Sequence, residues 1–454
     1  MIIEEKSGQY SLMECIRLTE AKYANARQQF TVDESAAFPE FLEKAKQGLL
    51  KSPPRRLVMD VSGVARQSSP TGMGRVELQL ARQFAAMAAE ESQEIAFTVF
   101  DGKAFQTCQL AAEPPFEFKP TGAALQFRPG DHFLMVEMLA GEIDAFFSAI
   151  YHARRAGAVI NYMIHDLIPI VNTSMAGNEE FTKDFFVAWS QVLRFAHRVI
   201  TVSRKVSRDV ACYVAETSMV GLAPTRPLPL AYLALGSDAL MPAVRADAVL
   251  PCPVGRNTLV ATGTLLKHKG IFDLLSAMEI LWAEGCEANL VLVGGSMGMA
   301  NMQTYLSNRP AFGKKLFLPG YVSDTELAET LRRCGALVCA SHDEGFGLPL
   351  VEAAALGCPV IARDIEIFRE TSGGAAFFFE NGDAGKIAGA LRQWLALTRR
   401  QQLKFVPKKS LVTWRQSAEM LKAIMFNGAS SVSVEVGLKA TMNLAVPGRT
   451  AGVV

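Results

Sequence analysis

Apolar positions in this chain fall into two successive series of short runs separated by amphipathic stretches. The first series comprises RLVMDVSGV (56–64), AFTVF (96–100), DHFLMVEM (131–138), AVINYMIHD (158–166) and HRVITVS (197–203). Each is short, β-branched or aromatic, and predicts a buried strand. The helical stretch RVELQLARQFAAMAAE places Val76, Leu80, Phe84 and Met87 on one face at helical spacing. Strands alternating with helices predict a parallel, doubly wound sheet. A Pro- and Gly-rich stretch, GLAPTRPLPLAYLALGSD (221–238), interrupts the pattern and reads as a linker. The second series follows: NTLVATG (257–263), ANLVLVGG (288–295), KLFLPGYV (315–322), GALVCAS (335–341) and CPVIARD (358–364). Two such domains in tandem form a cleft between the carboxyl ends of two sheets, where open α/β sheets bind ligands.

The segments outside these series read differently. Residues 1–50 predict an amphipathic helical extension that KSPPRR ends, and the small, polar tail over 427–454 shows no period. The expected division is an extension over 1–50, a first α/β domain over 51–235 joined by a returning helix near 410–426, and a second over 236–409.

Composition narrows the function classes. A net charge of +1 over 454 residues gives no electrostatic footprint for nucleic acid. The N-terminus lacks an apolar core for a signal peptide, and no uncharged run reaches the roughly 18 residues needed to cross a bilayer. Eight scattered cysteines without CxxC spacing predict reduced, mostly buried thiols in a cytoplasmic protein. Six dispersed histidines make a protein-built metal cluster unexpected. Arg194, Arg198, Arg204, Lys205 and Arg208 gather near one helix, a candidate for peripheral contact with a membrane surface.

The chemistry concentrates in residues 341–364, SHDEGFGLPLVEAAALGCPVIARD. A strand ends, a glycine-containing loop follows, a helix starts around Pro349 and Gly357 stops it. The open N–H groups of that helix start suit a phosphate. Glu344 in the loop is expected to face the cleft. Glu352, on the helix's first turn, is placed to accept hydrogen bonds from a ribose. Gly345 and Gly347 let backbone approach a ligand. Neither TGMGRV (71–76) nor GGSMG (294–298) has the spacing of a dinucleotide fingerprint.

These motifs resemble a known family. EGFGLPLVE matches the Glu-x7-Glu signature of the retaining GT-B glycosyltransferases of the "group 1" type. DVSGVARQSSPTGMGRVELQL, RPGDHFLMVEM, MIHDLIPI, VITVSRKVSRDV and VIARDIEIFRE resemble further segments of that family, in order, across roughly residues 56–425. The resemblance implies two Rossmann-like domains and transfer of a hexose from a nucleotide sugar, GDP-mannose in the first instance, without a metal cofactor. The acceptor it implies is a saccharide, commonly polyprenyl-diphosphate-linked, in bacterial O-antigen or exopolysaccharide synthesis at the cytoplasmic face of the membrane.

Residue by residue, the resemblance makes Lys269 the diphosphate lysine of VATGTLLKHKG. The family's arginine is replaced by Thr264 or His268 at its two usual places, so His268 or Lys267 is expected to substitute. Gly72, Gly74 and Arg75 are expected to cover the donor phosphates from the first domain. His165 and Asp166, at a strand's carboxyl end, are expected beside the transferred sugar, with Glu344 orienting it. Val322 is expected to hold the base through its backbone, while Ser341, Phe346 and Leu348 complete the donor wall. Alternatives on the same fold are a rhamnosyl- or glucosyltransferase using a dTDP- or UDP-sugar, and a degenerate subunit that binds sugar nucleotide without turnover. A phosphorylase would need a cofactor-bearing lysine that the sequence does not reveal.

Overall fold

The computed structural model describes residues 56–67, 72–91, 93–111, 118–137, 143–172, 179–219, 228–295, 300–408 and 411–427. The expected extension over 1–50, the tail beyond 427 and part of the linker lie outside the described residues.

Fourteen described strands form two sheets. The first holds β1 (Leu57–Asp60), β2 (Ile95–Phe100), β3 (Phe105–Leu110), β4 (Phe118–Ala124), β5 (His132–Met135), β6 (Val159–Ile164), β7 (Arg198–Thr201) and β8 (Leu230–Tyr232). Their order across the sheet is β4-β3-β2-β1-β5-β6-β7-β8. The second holds β9 (Thr258–Thr262), β10 (Asn289–Val293), β11 (Leu316–Gly320), β12 (Ala336–Cys339), β13 (Val360–Arg363) and β14 (Phe377–Phe379), in the order β11-β10-β9-β12-β13-β14. Every pairing in the second sheet is parallel.

Fully buried strands explain why the apolar runs could be read directly: β1, β5, β12 and β13 are buried at every position. Val76, Leu80, Phe84 and Met87 all face the core from the helix Gly72–Glu91, each 2% exposed or less.

Four strands depart from the expectation; one is β14, absent from the expected second series, which pairs in parallel with β13. β3 and β4 extend the first sheet as an antiparallel hairpin. Their sequences, FQTCQL and FKPTGAA, carry too few apolar residues to mark buried strands, because β4 lies exposed at the edge. The supposed linker over 221–238 contains β8, which pairs in parallel with β7, so its described part belongs to the first sheet.

The helix Trp414–Asn427 lies against the first sheet's layer rather than the second's. Ser417 Oγ donates to Ala234 O at 2.7 Å, and Arg198 Nη1 donates to Met425 O at 3.0 Å. Lys422 pairs with Glu91 at 2.5 Å on the helix Gly72–Glu91. Its apolar face is buried through Ala418, Leu421 and Ile424, all fully enclosed. Leu421→Ala should therefore cost roughly 2–5 kcal/mol, the range for a buried Leu truncation. A clear drop in melting temperature is the expected outcome; an unchanged one would mean this helix does not hold the fold together.

Candidate functional site

Each sheet has a point where successive strands are laid down in opposite directions, and ligands bind at the carboxyl ends there. In the second sheet that point lies between β9 and β12, which are adjacent and parallel. The loop after β9 carries Lys269 and the loop after β12 carries Ser341 and Glu344, so the topology brings them together. Lys269 Nζ donates to Glu344 Oε1 at 2.5 Å, and Ser341 Oγ donates to the same oxygen at 2.8 Å.

Burial alone would raise the Glu344 pKa, but the Lys269 ammonium and these two hydrogen bonds outweigh it and hold the carboxyl below its ordinary value. Glu344 is a fixed carboxylate. Gly270 makes the juxtaposition possible: it adopts φ +64, and a Cβ there would lie 2.1 Å from Ala340 O at the end of β12. Arg363, fully buried at the end of β13, braces the same corner. It donates to Ala340 O at 2.8 Å, to Asn381 at 2.7 Å and to Asp273 at 2.9 Å.

The first sheet presses against this loop from the other side. Ser203 Oγ, after β7, donates to Gly345 O at 2.7 Å. A Cβ on Gly345 would fall 1.8 Å from His165 O, and 3.3 Å from Asp166 Cβ. Gly345 therefore serves first the contact between the two halves, where a bare backbone is needed. His165 Nε2 is bonded to Val136 O at 2.8 Å, and burial drives its pKa down to about 4, so the ring is neutral. Asp166 accepts from the Ile168 N–H at 3.0 Å; burial raises its pKa, while the charges of Lys205 and Lys269 oppose that rise. His165, Asp166, Lys269 and Glu344 thus converge.

A second cluster forms further along the same groove. The helix Leu348–Ala355 begins after Gly347, which has φ +81, with Pro349 in its first turn. Leu348 is buried, Phe346 half-buried. Glu352 sits on the second turn, not the first as expected, because the helix starts at Leu348. Its carboxylate meets Arg75 of the first half at 3.5 Å, and Arg75 also pairs with Asp324 at 2.8 Å. Val322, half-buried, lies two residues before Asp324. Burial lifts the Glu352 pKa to about 7 despite Arg75, and the Asp324 charge adds to the rise.

Several expectations need correction. Gly72 and Gly74 belong to the first turn of a helix, not to a loop over the cleft. The space where a Cβ of Gly74 would sit holds the Gln67 amide, 2.4 Å away, so that glycine serves local packing. His268 stands at one of the places of the family's arginine, and burial, reinforced by the Lys269 charge, lowers its pKa to about 4. The Lys267 side chain lies outside the described residues. Within the basic cluster proposed for a membrane surface, Lys205 is turned inward, while Arg194, Arg198, Arg204 and Arg208 are half-buried. Lys205 is 3% exposed and pairs with Asp209 and Asp343, and Arg208 pairs with Glu366. Arg198 reaches Asn161 and Met425 O, and Arg204 stacks over Tyr232.

Sequence reasoning gave no role to Arg363, Ser203, Asp324 or Glu370. Glu370 takes the backbone N–H groups of Arg204 and Lys205 at 2.8 and 3.2 Å, capping the helix Arg204–Met219 from the other half. A charged residue closing an apolar strand, as in VIARD, was the available signal for Arg363.

A family profile described as "Glycosyl transferases group 1" matches residues 245–407, the segment that holds Lys269, Glu344 and Glu352. The chain carries a group 1 glycosyltransferase domain. Across 375 residues, 81% of the chain, it is 31% identical to the "Serotype-specific mannosyltransferase WbdA" of Escherichia coli, covering 44% of that protein. It is also 31% identical over 137 residues to the "O-antigen chain mannosyltransferase RfbU" of Salmonella typhimurium, covering 30% of this chain and 38% of that one. The chain spans less than half the length of these curated relatives. Among solved structures, the sucrose-phosphate synthase of Thermosynechococcus elongatus superposes with a TM-score of 0.54 at 18% identity, covering 83% of this chain and 96% of that one. The trehalose-6-phosphate synthase OtsA superposes with a TM-score of 0.53 at 10% identity, covering 83% and 96%. The fold is GT-B: two Rossmann-like halves facing across a cleft.

The raised Glu352 pKa has a measurable consequence. A carboxyl whose folded pKa lies above its unfolded value stabilises the fold below the unfolded pKa, and that stability is lost as pH rises through the folded one. For Glu352 the window runs from its ordinary 4.5 to about 7. Glu352→Gln should flatten the decline in melting temperature across that window, while leaving the curve near pH 4 little changed. Parallel curves for the two proteins throughout would show that Glu352 does not titrate there.

Proposed function

We propose that the chain is a retaining mannosyltransferase that moves mannose from GDP-mannose to a saccharide of the O-antigen kind, carried on a lipid. The observation that carries this reading is the Lys269–Glu344–Ser341 cluster at the second sheet's switch point, walled by His165 and Asp166. Its chemistry suits the reaction. Lys269 has three N–H donors and spends one on Glu344, leaving two for a departing diphosphate. Glu344 is ionised, so it accepts hydrogen bonds from sugar hydroxyls and opposes the positive charge of an oxocarbenium-like transition state. The neutral His165 donates from Nε2 to Val136 O, which leaves Nδ1 to accept from a hydroxyl without adding charge. The N–H groups at the start of Leu348–Ala355 add positive potential for the diphosphate, and Glu352 takes the ribose once Arg75 yields it. No metal ion enters this scheme. The choice of mannose rests on the relatives, whose printed names describe mannosyltransferases.

The neutral His268, at a position where the family carries an arginine, also favours a second reading: a subunit that binds sugar nucleotide without turnover. Two measurements decide. Among GDP-mannose, UDP-glucose and dTDP-rhamnose, GDP-mannose should raise the melting temperature most, because only a ligand of the native state stabilises it by mass action. In transfer assays Glu344→Gln and Lys269→Ala should each lower kcat/KM by about 100-fold or more, a loss of roughly 3 kcal/mol in transition-state stabilisation. Wild-type rates in both variants would remove the assignment of these residues, and stabilisation without transfer would select the non-catalytic reading.

A further inference from the structure

The first sheet has a switch point of its own, between β1 and β5, and the acidic residues gathered there take no part in the proposed transfer. They come from three elements. Asp60 ends β1, Glu137 follows β5, and Glu77 belongs to the helix Gly72–Glu91. The short turn Ser62–Ala65 touches each of them with a different residue. Ser62 Oγ donates to Asp60 Oδ1 at 2.6 Å, and the Val64 N–H donates to Glu77 Oε2 at 2.5 Å. Glu137 packs over the bare backbone of Gly63, where a Cβ would fall 2.2 Å from its Oε2.

The hydrogen bonding of this cluster is incomplete unless it carries protons. Asp60 Oδ2 and Glu77 Oε1 are buried without a hydrogen-bond partner, and so is the hydroxyl of Tyr162 on β6, a residue 1% exposed. Burial and the charges of Asp60, Glu137 and Glu77 push the Tyr162 phenol well above its ordinary range, so it faces all three and stays neutral. An ionised carboxylate only accepts, whereas a protonated one also donates, and a donor is what these enclosed acceptors lack. The other ionisable neighbours do not supply the missing positive charge. Cys108 on β3 is driven up to about 12 by burial and by the Asp60 and Glu77 charges, so it remains a thiol. The charge of Arg66 reaches Asp60, but its guanidinium also donates to Phe100 O at 2.7 Å. Gln67 offers Glu137 a neutral donor at 3.3 Å. Among the described residues, then, three acidic groups share one nearby arginine, with little solvent to screen them. Burial lifts Asp60 and Glu137 to about 7 and Glu77 well above its ordinary value, and mutual repulsion adds to the rise for Asp60 and Glu77.

We propose that Asp60, Glu77 and Glu137 form a proton-held clasp between the first sheet and the helix Gly72–Glu91, closed when protonated and loosened as pH rises. Its output lies two residues before Glu77, at Arg75, which crosses to Glu352 and Asp324. The arm that joins the halves is thus fastened at its root by protons. Opening returns the three groups to water, where they ionise at ordinary values of 3.8 for Asp60 and 4.5 for the glutamates. Because the folded values are raised, the clasp is strongest below about pH 4 and weakens as pH climbs through 7 and, for Glu77, beyond. The device stands independently of the transferase reading.

Amide hydrogen exchange of the full chain, followed by mass spectrometry and corrected for the intrinsic pH dependence of exchange, reads the clasp locally. From about pH 5.5 to about pH 8, opening of residues 57–66 and 72–91 should increase at least about ten-fold. The increase should persist in Glu352→Gln, which removes the other pH-dependent carboxyl of the groove. Glu77→Gln keeps the oxygen that accepts the Val64 N–H; combined with Asp60→Asn, it should cut the response at least about three-fold, chiefly through added protection at pH 8. Glu137→Gln, at the half-buried member, should act in the same direction and decides the matter if the double variant does not fold. A flat profile in native protein overturns the proposal, as does a response that vanishes in Glu352→Gln or one equally strong in residues 258–293. Protection altered by the same factor at both pH values in the Asp60, Glu77 and Glu137 variants would also overturn it, since that marks a purely structural role.

Discussion

The loop Ser341–Gly347 is held from two sides at once, and the remainder of the site depends on that constraint. From its own sheet, Lys269 fixes the Glu344 carboxylate and Arg363 braces Ala340 behind it. From the opposite sheet, Ser203 holds Gly345 O, and the backbone of His165 leaves no room for a side chain on Gly345. Two polar backbone segments packed this closely must satisfy their groups mutually, since water is excluded between them. The result is that residues separated by some 180 positions in the chain are fixed within a few ångströms, which is what positioning a reacting centre requires.

Charge pairing extends the same constraint outward. Lys205 would be costly to bury alone. Desolvation disfavours its ammonium, but Asp209 and Asp343 outweigh that and raise its pKa, so the charge persists inside the interface. Glu370 caps the helix that begins at Arg204, and Arg75 reaches across to Glu352 and Asp324. These contacts join the halves along the groove. Arg75 occupies the carboxylate of Glu352 proposed to engage a nucleotide's ribose, so on that reading donor entry and the pairing of the halves draw on the same group.

Much of this was readable beforehand, for identifiable reasons. Strands such as VINYMI and ALVC are buried on both faces, so their apolar runs identify them without knowledge of partners. The helix at Leu348 was bracketed by Pro349 and Gly357, residues with strong local preferences. Lys269 and Glu344 stood out because a basic group and an acidic group each followed a strand at its carboxyl end. The hairpin β3–β4 escaped because its exposed edge strand owes its pairing to a neighbour, which leaves little pattern in the residues themselves. The burial of Lys205 escaped for a related reason: a charge has the same appearance in sequence whether it meets water or a buried carboxylate.

By itself the sequence determined what local preference and periodicity can carry: two α/β series, the loop-and-helix start around Glu344, and the residue types suited to a sugar nucleotide. Tertiary structure decided the relations between distant residues. It made Glu344 a fixed carboxylate, held His165 and His268 neutral by burial, raised the Glu352 pKa and turned Lys205 inward. Those properties arise from desolvation and from partners brought close by folding, neither of which is encoded in the neighbouring positions of the chain.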